Sequence, residues 1–138
     1  MFPCWDEPKF RATFSISLYH HESQTSETNM PLKKLLSHEN NMIWAIFHTT
    51  PEMPTYLVAV MIAAYHGSSY ENRIANIWCR EFLAKQLDFA LDIADKVKMH
   101  FRYLLEFSTL KAEPNVKHVV IPGYQHDDME NWRLLFYR

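Results

Sequence analysis

The apolar residues of this chain change their period once, and that change limits the possible fold more than any other feature. Phe10, Ala12, Phe14, Ile16 and Leu18 alternate with Arg11, Thr13, Ser15 and Ser17. A period of two places one face of a β-strand in a core and the other in water. Over residues 82–107 the spacing becomes three and four: Leu87, Ala90, Leu91, Ala94, Val97, Phe101, Leu104 and Leu105 fall together, away from Asp88, Asp92, Asp95 and Arg102. That is the stripe of one long amphipathic helix. Its early acids (Asp88, Asp92) and later bases (Lys96, Lys98, Arg102) suit the helix dipole. Strands followed by a helix predict an α+β chain, with a β-rich saddle or sandwich portion first.

Further strands are expected over residues 42–48, 55–65 and 72–80. Residues 56–65 are apolar on both faces, which predicts a central strand covered on both sides. Residues 20–28 read as a polar loop. The adjacent His20 and His21 would point to opposite faces of a strand, so they are poorly placed to share a metal ion. After the helix, Val119 to Ile121 form an apolar strand stopped by Pro122. A polar turn follows, then a segment that carries Glu130 and finishes in Leu134, Leu135 and Phe136. Those two stretches predict a terminal strand pair. On residue type alone, Glu130 is a structural acid at a strand edge, paired with a nearby arginine.

Composition narrows the class. With 138 residues, 48% hydrophobic and 14% aromatic, the chain can bury one sizeable core. It has 2 glycines, so its 7 prolines together with Asn, Asp and Ser must make the turns. A net charge of −2 without a basic cluster argues against a nucleic-acid partner. Cys4 and Cys79 have no metal-type spacing and are expected to be free and buried; spacing alone does not decide whether they pair. Pro3, Asp6 and Glu7 stand where a signal peptide would have a basic start and an apolar core. The longest apolar run, residues 56–65, is about half of what a membrane-spanning helix needs. The compartment therefore stays open.

Several motifs, in order and mostly without gaps, resemble the aminopeptidase N family of zinc metallopeptidases. Phe2-Pro3-Cys4-Trp5-Asp6-Glu7-Pro8 followed by Phe10-Arg11-Ala12-Thr13-Phe14 is similar to that family's F-P-C-F/W-D-E-P and K-A-T-F. Asn29-Met30-Pro31 resembles its S-N-M-P. Residues 50–59 resemble T-P-x-M-S-T-Y-L-V-A, with Pro54 in place of Ser. Residues 72–80 resemble V-R-V-W-A-R-P, with Cys79 for Ala and Glu81 for the final Pro, and residues 89–97 are similar to A-L-D-I-A-D-K-V. Ile121-Pro122, Met129-Glu130-Asn131-Trp132 and Tyr137-Arg138 match I-P-D-F, G-A-M-E-N-W-G and T-Y-R-E.

The resemblance implies that residues 1–81 are the end of an N-terminal β domain. Residues 82–138 would then begin a thermolysin-like catalytic domain, left incomplete. It also implies that Glu130 binds the free α-amino group of a peptide, with Met129, Asn131, Asp128 and Asp127 around it. A carboxylate suits a protonated amine, which offers a charge and three donors. Asp127 and Asp128 stand where the family has Gly and Ala, and Arg133 where it has Gly. Glycine lets a backbone approach a ligand closely, whereas aspartate adds bulk and charge. If the segment is extended, Asp128 and Glu130 share a face.

Zinc is the family's cofactor, held by H-E-x-x-H on a helix and a further glutamate. None of the 8 histidines here lies four residues from another, so no catalytic or metal residue is assigned. The expectation is a portion of a zinc-dependent aminopeptidase that binds peptide N-termini, inactive alone and binding no stoichiometric zinc. Its other partner would be the remainder of the enzyme or another protein. The alternative is a degenerate, non-catalytic homologue that serves as a peptide-binding or interaction module. Family members are membrane-anchored ectoenzymes, secreted or cytoplasmic, so the resemblance leaves the compartment open too.

Overall fold

The computed structural model describes residues 2–68, 75–104, 116–124 and 128–138. The chain divides into two compact units, Met1–Ala64 with Glu130–Leu134, and Tyr65–Met129 with Leu135–Arg138. The described residues are mostly β-sheet with one α-helix, consistent with an α+β chain.

In the first unit the alternating stretch is extended chain in two pieces. Strand β1 (Arg11–Ala12) pairs antiparallel with β6 (Met53–Pro54), and β2 (Ser17–His21) with β5 (Met42–Phe47). Between the pieces, the Phe14 N–H donates to Thr50 Oγ1 and the Thr50 N–H to the Phe14 carbonyl, both at 2.9 Å. Burial keeps the expected period over residues 13–18, where Phe14, Ile16 and Leu18 are half-buried and Thr13, Ser15 and Ser17 exposed, but Phe10 and Ala12, expected on the same face, are exposed. On the other side of β5 lies β4 (Leu32–Ser37), exposed along its length. Asn40 (φ 58°) and Asn41 (φ 56°) turn the chain between them. Asparagine tolerates that left-handed conformation, so here it takes glycine's place.

Several expectations change in this unit. The stretch expected as a polar loop contains the end of β2 and a strand, β3 (Thr25–Thr28), paired with β7 (Val60–Ala63). The strand expected over residues 55–65 is reduced to β7. Pro54, with φ −63° and ψ 151°, leads into a 3₁₀ turn at Thr55–Leu57. Among the described residues β7 pairs with β3 alone, and Ile62 is exposed, so β7 is not covered on both faces. The core of this unit holds Ala45, Phe47, Met53, Val58, Ala59 and Met61. Asp6 ties the N-terminal segment to the 3₁₀ turn, because the Thr55 hydroxyl reaches its Oδ1 at 3.0 Å. Cys4 is exposed rather than buried, on a segment whose Trp5 is 74% exposed.

A five-stranded sheet in the order β11-β12-β10-β9-β8 belongs to the second unit except for residues Glu130–Leu134, which the first unit includes. Its strands are β8 (His66–Ser68), β9 (Ala75–Cys79), β10 (Val116–Val120), β11 (Asp128–Asn131) and β12 (Leu134–Tyr137). Strands β9 and β10 are parallel, a pairing that needs a crossover. Helix α1 (Leu87–Leu104), entered through a 3₁₀ turn at Glu81–Gln86, lies between them in sequence. The expected helix is therefore shorter at its start, and residues 105–107 lie outside the described residues. Leu87 and Leu91 pack on Ile77 and Cys79, with Leu83 and Val120 against them. Burial pushes the Cys79 thiol pKa up.

Val97, Phe101 and Leu104, expected on the packed side of α1, are exposed. Val97 lines a cavity of about 590 Å³ with Phe89, Ile93, Ile77, His118 and Val120. No helix among the described residues is long and apolar enough to cross a membrane.

Candidate functional site at the Glu130 turn

The segment singled out by sequence folds as a hairpin. Strand β11 ends at Asn131, Trp132 and Arg133 form the turn, and β12 begins at Leu134. The extended backbone over Asp128–Asn131 is the conformation that puts positions 128 and 130 on one face. Glu130 is exposed and makes no ion pair among the described residues, so the paired structural acid expected from residue type alone is not what forms. Asn131 is buried at 4% exposure, and Trp132 is partly exposed. Asp127 lies outside the described residues, as do the side chains of Asp128 and Met129.

Arg133 sits at φ 64°, in the left-handed region. The position where the family has glycine is thus one whose backbone favours glycine. Arginine is held there in part by its own side chain, whose Nη1 lies 3.5 Å from Met30 Sδ.

Within the first unit, Asn29 ties the turn to the core. Asn29, 1% exposed, donates from Nδ2 to the Trp132 carbonyl (2.7 Å) and to the Leu57 carbonyl (2.9 Å). Its Oδ1 accepts from the Ala59 N–H at 2.9 Å. Thr28 braces the backbone around Asn29, its Oγ1 accepting from the Met30 N–H at 3.2 Å. The sequence marked Asn29 through the Asn29-Met30-Pro31 motif but gave it no role.

The two paired histidines are structural. His20 is buried, with Nδ1 at 2.9 Å from the His21 carbonyl and Nε2 at 2.8 Å from Ser26 Oγ. His21 is exposed and bonds Ser23 Oγ at 2.7 Å. Among the described residues no group of three His, Cys, Asp or Glu side chains is placed to hold a metal ion. With no two histidines one helical turn apart, the residues present do not fit the zinc ion that the resemblance implies.

Comparison with known proteins agrees with the geometry of motifs in order. Residues 1–57 match the family profile described as the Peptidase M1 N-terminal domain. Aminopeptidase Q of Homo sapiens is 36% identical over 146 residues, covering 99% of this chain and 14% of that protein. Membrane alanyl aminopeptidase of Manduca sexta is 35% identical over 144 residues, again 99% of this chain and 14% of that protein. Aminopeptidase N of Lactococcus lactis subsp. lactis is 36% identical over 143 residues, 99% of this chain and 16% of that protein. The chain therefore spans a small part of the length of the relatives it matches.

Proposed function

This chain belongs to the peptidase M1 family, and we propose that it is the portion of a zinc-dependent aminopeptidase that receives a peptide's free N-terminus, with Glu130 as the anchor of the α-amine. The observation that carries this reading is the ungapped Met129-Glu130-Asn131-Trp132 at a strand end where Glu130 is exposed and, among the described residues, without an ion pair. A protonated amine supplies the charge and the donors that this carboxylate lacks. In this reading residues 1–81 close an N-terminal β domain and residues 82–138 open a thermolysin-like catalytic domain. The zinc ligands lie elsewhere in the enzyme, so this chain is inactive alone. Its partners are peptide N-termini and the remainder of the enzyme.

A hydrogen bond to a charged group contributes about 1.5–3 kcal/mol. Because Glu130 is exposed, solvent screening holds its contribution to the low end. Glu130→Gln should therefore weaken a short peptide with a free N-terminus about tenfold and leave its N-acetylated form unchanged. Calorimetric titration reads both, and equal weakening of the two forms would remove the amine-anchor role.

A second reading, a non-catalytic homologue kept as an interaction module, is favoured by Asp127 and Asp128 in place of Gly and Ala. Asp127→Gly with Asp128→Ala should strengthen free-peptide binding if the aspartates obstruct the site. No gain, with the unmutated chain binding no peptide, favours the module.

A further inference from the structure

We infer that Asn29 is a positioning residue for Glu130, an inference that rests on reading Glu130 as the amine anchor. Its buried carboxamide fixes the turn that follows Glu130 and so sets where the end of β11 stands.

The chemistry at position 29 is specific to asparagine. A carboxamide offers two N–H donors and one acceptor oxygen. All three functions are used at 2.7–2.9 Å, and every partner is backbone: the carbonyls of Leu57 and Trp132 and the N–H of Ala59. Aspartate would aim a carboxylate oxygen at two carbonyl oxygens in a buried site. Glutamine carries one methylene more than the distances allow. Serine keeps at most one of the two donors. At 1% exposure no water replaces a lost partner without rearrangement, and an unpaired buried carbonyl is costly.

The staple joins two places with nothing local in common. Leu57 ends the 3₁₀ turn and Ala59 stands just before β7, in a segment anchored by buried Val58 and Ala59. Trp132 lies 103 residues from Asn29 in sequence, two residues after Glu130. The bond falls on the first turn residue, just before Arg133 at φ 64°. A backbone carbonyl fixed at that point limits both the tilt of the peptide unit and the direction in which β11 ends. Met30 Sδ against Arg133 Nη1 adds a second contact from the adjacent residue. Positioning of this kind matters because a displacement of about 1 Å at a binding group already costs much of its interaction.

The test uses the full 138-residue chain with Asn29→Ala and Asn29→Ser, the latter retaining one donor should the former fail to fold. Two readouts are taken. Hydrogen exchange should quicken at the amides of Ala59 and of residues 131–134 and stay unchanged across α1. Calorimetry with one short peptide, free and N-acetylated, should show the preference for the free form falling at least fivefold in Asn29→Ala and by an intermediate factor in Asn29→Ser. Affinity for the acetylated form should change less than twofold. A side chain that only supports folding would weaken both forms in proportion. Unchanged preference in a folded variant overturns the inference, as does unchanged exchange at residues 131–134. If the unmutated chain shows no preference for the free form, the amine-anchor reading fails instead, and exchange alone decides whether Asn29 holds the turn.

Discussion

Arg133 at φ 64° is an L-residue in a conformation that costs about 1–2 kcal/mol for side chains with a Cβ. Glycine would relieve that strain but adds about 0.4–1 kcal/mol of freedom to the unfolded chain, and it would lose the contact with Met30. Arg133→Gly is therefore expected to move the urea midpoint by less than the equivalent of about 1 kcal/mol. Arg133→Val, β-branched and without the long side chain, should lose more than about 1 kcal/mol. His118 gives a second residue-scale prediction. Burial first, then the charge of Lys98, holds its pKa below the ordinary 6.5, with Asp95 opposing. Its Nδ1 lies 3.1 Å from the Tyr137 hydroxyl, the two rings stacked. Below pH 6.5 the unfolded chain binds a proton that the folded chain resists. Stability should thus fall as pH drops below that value and level off once the folded pKa is passed. His118→Phe should remove this part of the pH dependence, read as the difference between the urea midpoints of the two proteins at pH 7.5 and 5.5.

At the scale of elements, periodicity revealed what one stretch can carry by itself. The alternation over residues 13–18 and the three-four spacing around Leu87 and Leu91 both correspond to packed elements, whereas Phe10 and Ala12 stay exposed. Strand β3, Thr-Ser-Glu-Thr, has no apolar alternation to read, and β4, Leu-Lys-Lys-Leu-Leu-Ser, matches neither period; both are strands because a neighbour supplies the ladder. The motif around Glu130 stands out because it is contiguous, but the turn at Trp132 and Arg133 does not: one unbroken segment through residues 134–136 is expected, and two strands, β11 and β12, form instead. The Asn29 staple does not stand out either, because a bond across 103 residues leaves no local pattern. Gly67 is a similar case. A Cβ there would come within 2.2 Å of the Trp78 ring on the neighbouring strand, so the indole lies over a position that only glycine leaves open. Gly67→Ala must push that ring aside and should destabilise the β8–β9 pair by about 1–3 kcal/mol. Hydrogen exchange at residues 76–79 should rise with it while exchange at β5 does not.

At the scale of the whole chain, much apolar surface faces water. Phe89 is 75% and Tyr103 83% exposed on α1, and Phe82 and Met99 are exposed with them. In the other unit, Tyr19 and Trp44 stand side by side on the sheet at 5.0 Å, both exposed. Exposed apolar side chains in this number mark an interface or an aggregation hazard. The chain alone should bind an environment-sensitive dye such as anilinonaphthalene sulfonate strongly and self-associate at micromolar concentration. A monomeric, dye-silent chain with a sharp cooperative thermal transition would contradict this.

The most direct measurement is calorimetric titration of the unmutated chain, kept below its association range, with one short peptide in free and N-acetylated forms. If Glu130 anchors an α-amine, the free peptide binds about tenfold more tightly, and raising the pH above the amine's own pKa of about 8 abolishes the difference. Equal affinity for the two forms at neutral pH would contradict that anchor and leave Glu130 as an unliganded surface acid on the turn that Asn29 holds.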